Sequence, residues 1–442
     1  MTSLWEQGVS PRPLPPLPGD YTVDTAVIGG GLCGLLTAYE LQKRGVEVMV
    51  LEANGIGAGT TGKSTAKVTS QHRLIYDRLI RQMGTEKAQQ YATANQQAIE
   101  QYAALIEEEG IDCGWERRDA FVYTTGGTQR IEAEEKAARR LGLPAELAAV
   151  DSLPVHTAGA VKFSHQAQLH PLQFLCALAD RLTVYQAAAQ AIVGRQIYCD
   201  NRIVNASRIV VATHFPFVNF PGLYFARMHQ QRSEVVALQN VPPVEGMYID
   251  ENEDGYSFRQ AGDCLLLGGE GERTGSKQAA GAHARLHAAA RRFYPQAEEV
   301  YHWHTQDCMT HDGVPFVGQY AKHTPGLYVA TGFNKWGWTN SMAASRILAD
   351  TITGRENPCA GVFDPRRAEI RAAARHFVID MGVSVGQLTA GLFAPPQRRC
   401  PHLGCKLHEA EDGTFECRCH GSKFDGDGTC LQGPATRDKP VR

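Results

Sequence analysis

The chain has 442 residues, 43% of them hydrophobic, which is ample for two or three domains with packed cores. Its formal net charge is -3, with Lys and Arg interspersed among Asp and Glu, so it offers no basic field for nucleic acid and no polybasic run for a membrane surface. Small molecules and protein redox partners are left as the expected ligands.

Residues 1–20 form a proline-containing N-terminal extension (Pro11, Pro13, Pro15, Pro16, Pro18) without an apolar core of signal-peptide length. No apolar run approaches the roughly 18 residues needed to span a membrane, and a cytoplasmic location is expected. The 12 cysteines are too few for a disulfide framework in a chain of this length, and the last five cluster. In a reducing compartment such a cluster points to metal.

Val23 to Ile28 reads as a short apolar strand running into Gly29-Gly30-Gly31-Leu32-Cys33-Gly34 and then a helical stretch, Leu35 to Arg44. A second strand, Val46 to Leu51, ends at Glu52. Strand, glycine turn, helix, strand and acidic residue together make a dinucleotide-binding unit. Gly29 permits the tight turn, Gly31 lets the backbone approach a pyrophosphate at the positive helix end, and Gly34 allows helix and strand to pack closely. Glu52 is expected to accept hydrogen bonds from the adenosine ribose. The fingerprint alone leaves FAD and NAD open, but Ile56 to Ser64 follows as a glycine- and hydroxyl-rich segment. Its Gly59, Thr60, Thr61 and Ser64 suit a long phosphate and ribityl chain.

Thr85 to Glu109 repeats apolar residues at helical spacing and predicts a long amphipathic helix. Arg208 to Thr213 reads as a strand ending in Ala212 and Thr213, and residues 215–305 alternate short apolar runs with Gly and Asp turns, as antiparallel strands do. Thr310-His311-Asp312-Gly313-Val314-Pro315-Phe316-Val317-Gly318 follows, then the strand Leu327 to Thr331, the loop Gly332-Phe333-Asn334-Lys335-Trp336 and a helix, Ser341 to Thr353.

These segments, in this order, resemble the D-amino-acid oxidase superfamily of FAD-dependent oxidoreductases, which includes glycine and sarcosine oxidases, over about residues 20–365. The resemblance implies an α/β, two-domain flavoprotein. Its Rossmann-type FAD-binding domain would be built from about 20–80, 145–215 and 305–360, and its mixed or antiparallel substrate domain from about 85–145 and 215–305. It places Ala212, Thr213, Gly332, Phe333, Asn334 and Trp336 at the flavin, with Lys335 able to stabilise negative charge on the reduced ring. It makes Arg259, Arg273 and Tyr256 candidates for gripping a substrate. A covalent flavin through Cys308 is not expected, because its spacing differs from that in sarcosine oxidases. Those oxidases also carry a lysine where this chain reads Leu265-Leu266-Leu267-Gly268-Gly269, and its absence favours a dehydrogenase over an oxygen-using oxidase.

Phe363-Asp364-Pro365 ends this region, and residues 366–394 read as a linker with a helix, Arg366 to His376. In residues 395–442, Cys400-Pro401-His402 and Cys417-Arg418-Cys419-His420 place one Cys and one His on each of two loops. Two thiolates and two imidazoles suit a 2Fe-2S centre with histidines on one iron, and also a tetrahedral zinc ion. With the flanking Leu403-Gly404-Cys405 and Gly421-Ser422-Lys423-Phe424, the segment resembles a small all-β Rieske domain. That likeness makes Cys400, His402, Cys417 and His420 the iron ligands and Gly433-Pro434-Ala435 the covering loop, and it matches Cys405 and Cys419 to a pair that forms a disulfide in many members. The domain is shortened, with most of its supporting sheet missing, so support is expected from the flavoprotein body. With both cofactors in one chain, the resemblance to the D-amino-acid oxidase superfamily implies oxidation of a C–N bond in a small amine or amino acid, with electrons passing singly to an external redox protein or small acceptor. Reverse flow from an external donor, and a non-catalytic electron carrier or redox sensor, are the alternatives.

Overall fold

A computed structural model describes residues 2–276, 278–367, 382–410 and 413–440. At its centre the strand Tyr21–Ile28 pairs in parallel with Val48–Glu52 on one side and Arg202–Val211 on the other. Val184–Gln186 extends the sheet beyond Val48–Glu52, and Leu327–Thr331 and then Phe316–Gln319 extend it beyond Arg202–Val211. Ala26, Val27 and Ile28 are all buried. Consecutive burial of this kind marks a strand covered on both faces, as parallel sheets require. The helices Leu32–Lys43 and Gly337–Ile352 lie side by side against one another, and the long helix Thr85–Glu109 packs on the second of them. Gly110, at φ 60°, stops the long helix in the left-handed conformation that glycine adopts without strain.

The second sheet has nine strands: Glu298–Thr310 at one edge, then Met228–Gln239, Cys264–Arg273, Ser257–Ala261, Met247–Asp250, Glu116–Thr124, Gly159–Gln168 and Lys67–Val68, with Ala145–Ala148 also pairing Gly159–Gln168. It is mixed, because Met247–Asp250 runs parallel to Glu116–Thr124. The boundaries differ from the expected 80, 145 and 305, because Lys67–Val68 and all of Glu298–Thr310 also lie in this second sheet. Both Ala145–Ala148 and Gly159–Gln168 belong to this second sheet, and the chain rejoins the first only at Val184. Helical spacing and strand alternation identify elements, but they do not say which of two sheets a strand joins.

The N-terminal extension is tied to the body. Ser3 Oγ donates to the Gly62 carbonyl at 2.9 Å and Trp5 Nε1 to the Ser64 carbonyl at 2.7 Å, so both brace the hydroxyl-rich segment from outside. Trp5 is buried, edge-on to His170 at 5.0 Å.

The C-terminal module is a sheet of four short antiparallel strands, Leu407–Glu409, Phe415–Cys417, Lys423–Phe424 and Cys430–Gln432, with residues 382–392 helical beside it. The expected helix from Arg366 to His376 falls mostly outside the described residues. Support for so small a sheet comes from the body. Gln230 Nε2 donates to the His420 carbonyl at 2.6 Å and Gln306 Nε2 to the Gly421 carbonyl at 3.1 Å. Arg232 pairs with Glu416, whose side chains are only 12% and 4% exposed. Removing one partner of a buried pair such as this costs about 3–5 kcal/mol. Gly421 lies so close to the two glutamines that a Cβ there would stand 2.6 Å from Gln306 Nε2. The module is therefore seated on the strands Met228–Gln239 and Glu298–Thr310.

Candidate cofactor and substrate sites

A continuous cavity of about 840 Å³ runs from the glycine turn to the second sheet. At its nucleotide end Gly29, at φ 116°, approaches so closely that a Cβ would stand 2.6 Å from the Ala212 carbonyl oxygen. A Cβ on Gly34 would overlap the Gly29 carbonyl oxygen, whereas Gly31 meets nothing nearer than Thr61 Oγ1 at 3.7 Å. Two glycines thus serve close packing and the third opens the backbone to a ligand, in the division expected from their spacing. Glu52 accepts from Gly30 N at 2.6 Å and from Asn54 N at 2.8 Å, which fixes its carboxylate at the cavity wall. Gly59, Thr60, Thr61, Ser64, Ala212, Thr213, Phe333, Asn334 and Trp336 also line the cavity, while Gly34 and Gly332 stand behind it. The helix Gly337–Ile352 presents its N-terminus to the same space through Gly337, Trp338 and Ser341. Gly34→Ala drives a methyl group into the Gly29 carbonyl, a cost above the usual about 1–3 kcal/mol of overpacking. The purified variant is expected to carry almost no flavin per chain by absorbance, against full loading in the parent.

Asn334 and Lys335 both have positive φ, 51° and 70°. Asn334 holds that turn by accepting from Thr310 N at 2.8 Å and donating to the Gly332 carbonyl at 2.7 Å. The turn delivers Lys335 Nζ to Ser233 Oγ at 3.1 Å. Burial, and secondarily Arg73, lowers the Lys335 ammonium to about 8. Burial raises Asp307 to about 6, with Lys335 pulling it back down. Trp336 stacks on His72 at 4.8 Å, and burial keeps that imidazole neutral, at about 3.

The other three candidates lie elsewhere. Arg259 is spent on structure: Nε donates to Gln168 Oε1 at 2.8 Å, the two terminal nitrogens to the carbonyls of Leu169 and Thr65, and the guanidinium sits 5.1 Å from the Trp5 ring. Tyr256 turns its ring away from the cavity, edge-on to Phe293 at 5.1 Å, while its neighbours Gly255 and Ser257 line the space. Strand alternation sends it to the other face. Arg273 stands at the C-terminal module, where its charge acts on Cys419. In their place the cavity holds Arg73, Lys67, Glu253 and Asp307. Burial, with Arg259 close by, lowers Lys67 to about 7. Cys308 also lines the cavity, but burial pushes its thiol well up, and its sulfur bonds the His214 carbonyl at 3.3 Å.

The two Cys-His loops converge. Cys400 and Cys417 are buried and hydrogen-bonded to one another, and the sulfurs of Cys405, Cys417 and Cys419 lie within 4.8 Å. All are thiols in this structure, Cys405 and Cys419 included. The rings of His402 and His420 are 4.9 Å apart and nearly perpendicular. Each uses Nε2 outward: His402 toward Asn219 Oδ1 at 2.7 Å, His420 toward the Phe225 carbonyl at 3.0 Å. Nδ1 of His402 is buried without a hydrogen bond. An outer partner on one ring nitrogen fixes the other as the ligand. Phe215 covers both rings, at 6.5 and 5.5 Å. One thiolate pair and one imidazole pair are the donor set that would hold a 2Fe-2S cluster of the histidine-ligated kind.

Residues 24–351 match the family described as FAD dependent oxidoreductase, and residues 371–441 match the Rieske [2Fe-2S] domain. The chain belongs to the FAD dependent oxidoreductase family and carries a Rieske domain at its C-terminal side; its cofactors are FAD and a 2Fe-2S cluster, which decides against zinc. The putative Rieske 2Fe-2S iron-sulfur protein YhfW of Bacillus subtilis (strain 168) is 33% identical over 100% of this chain and 97% of its own length. Gamma-glutamylputrescine oxidoreductase of Escherichia coli (strain K12) is 22% identical over 75% of this chain and 84% of its own. Among solved structures, glycine oxidase from Geobacillus kaustophilus shares the fold with a TM-score of 0.67 at 20% identity, covering 79% of this chain and 99% of that one. L-proline dehydrogenase from P. horikoshii gives 0.65 at 16%, covering 79% and 98%. No helix among the described residues is long and apolar enough to cross a membrane.

Proposed function

We propose that the protein oxidises a C–N bond of a small amine or amino acid at FAD and passes the electrons through its 2Fe-2S cluster to an external acceptor. When bound, FAD accepts a hydride as two electrons and the cluster carries one at a time. Gln306 carries this reading, because one residue joins the two cofactor sites. Its carbonyl accepts from Thr60 Oγ1 at 2.8 Å in the flavin cavity, while its side chain donates to Gly421 beside the cluster ligand His420. The covering segment from Cys430 to Asp438 lines the same cavity as the glycine turn. Two redox centres with a common wall suit internal electron transfer better than two independent activities.

At the other end the mixed charges fit a zwitterion. Arg73 and Lys67 offer cations to a carboxylate, and Glu253 and Asp307 offer anions to an ammonium. Lys335 sits between them, where its charge supports negative charge on the reduced ring and Asp307 holds it in place. Replacing Arg73 by alanine removes a charged hydrogen bond worth about 1.5–3 kcal/mol, so KM for amino acids is expected to rise about 10–100-fold. KM for amines without a carboxylate should stay at the parent value.

The direct test is anaerobic mixing with a panel of amines and amino acids, followed by absorbance. The flavin should bleach first and the cluster second. Cluster reduction before the flavin, or reduction of both only by an external protein donor, would reverse the proposed direction.

A further inference from the structure

Away from the cavity, three imidazoles converge on one carboxylate at the edge of the second sheet. His283 and His287 stand one turn apart on the helix Ala282–Phe293, so both project from a single face. Glu299 and His302 belong to the edge strand Glu298–Thr310. Residues three apart face opposite sides of a regular strand. Here the pairing slips: Ala237 and Leu238 oppose Tyr301 and Glu299, leaving Val300 as an extra residue. That bulge turns Glu299 and His302 to the same side, toward the helix.

The four side chains meet closely. Glu299 Oε1 lies 2.9 Å from His283 Nε2 and 3.5 Å from His302 Nδ1, and Glu299 Oε2 lies 2.6 Å from His287 Nδ1. Ligand atoms of His283, Glu299 and His302 all fall within 4.8 Å of one another, and the His283 and His302 rings stack at 4.0 Å. The histidine side chains are 37%, 42% and 38% exposed, so an ion can reach them from solvent, while Glu299 is 15% exposed and anchors the group from below.

We propose that His283, His302 and Glu299 form a binding site for a divalent transition-metal ion of the zinc type, clamping the helix Ala282–Phe293 to the edge strand, with His287 holding the second carboxylate oxygen of Glu299. Two imidazole nitrogens and one carboxylate oxygen leave the fourth corner of a zinc tetrahedron to water. Ligands at zinc-bond length on a tetrahedral ion stand about 3.3 Å apart, and the contacts around Glu299 scatter about that separation. Imidazole and carboxylate also make the site chemically distinct from the thiolate-rich cluster loops, which favour iron–sulfur. The helix supplies His283, and the bulge supplies the two remaining ligands.

The test uses the full-length protein with flavin and cluster loaded, dialysed to equilibrium against zinc ion and analysed for zinc, iron and flavin. The parent should hold one more zinc per chain than the His283→Ala/His302→Ala variant, at equal iron and flavin. Loss of direct ligands should weaken zinc binding at least about 100-fold, the upper end for changes made one shell further out. Glu299→Gln, which keeps the shape of the side chain, should behave likewise, and added zinc should raise the melting temperature of the parent alone. Equal zinc in parent and variants, or zinc gained only as iron is lost, overturns the site.

Discussion

Cys417→Ser is expected to abolish turnover with an external one-electron acceptor while leaving FAD in place. Cys417 is buried in hydrogen-bond contact with Cys400, Cys405 and Cys419. A metal ligand of this kind must be deprotonated, and a serine hydroxyl is a far weaker donor to iron. Steady-state rates should fall at least about 100-fold, since even displaced outer partners of a metal site cost up to that much. Anaerobic bleaching of the flavin by substrate should persist, because the dinucleotide turn and the Lys335 loop are untouched. The variant's visible spectrum should show flavin with the cluster bands gone. Undiminished turnover with the cluster absent would remove the cluster from the reaction and leave an oxidase with an ornamental domain.

The second large effect falls on Lys335. Between pH about 6 and about 8, Asp307 is a carboxylate and Lys335 an ammonium, because burial raises the first and lowers the second toward that window. As pH rises through about 8 the cation is lost, and as it falls through about 6 the anion that steadies the cation is lost. The rate constant for anaerobic flavin reduction should therefore be highest between these values and decline on both sides. Lys335→Met should lower it about 10²–10³-fold at neutral pH, the loss typical of one preorganised electrostatic donor. It should also erase the alkaline limb that Lys335 creates. Stopped-flow absorbance across the pH range checks both points, and a variant with the parent's profile would reassign Lys335 to holding Ser233 in place.

What could be read from sequence follows from how each feature is built. The dinucleotide unit was legible because its demands are on the backbone: Gly29 and Gly34 have no space for a Cβ and Gly31 faces a ligand, so residue type and spacing carry the meaning. The two Cys-His loops were legible because iron chemistry needs Cys and His at short, fixed separations, and the structure brings the loops together. The substrate end was not. Arg73 follows a run of polar residues with no spacing of its own, and Lys67 and Asp307 gain their meaning only from burial beside charges remote in the chain. Arg259, Arg273 and Tyr256 were sensible candidates by position along two strands. Their roles were decided by contacts that sequence does not encode locally: the Trp5 ring, the C-terminal module and the face of the strand. The residues that seat the C-terminal module, Gln230, Arg232 and Gln306, lie on strands of the second sheet, far from it in sequence.

The wall that Cys430 to Asp438 contributes to the flavin cavity also bears on how the protein is made. Every other lining residue has been synthesised once Ser341 leaves the ribosome, and the segment that completes the wall follows about 90 positions later. During that interval the nucleotide-binding elements are present and the cavity stands open along one side. The entrance to the cavity is therefore wider in the growing chain than in the finished one.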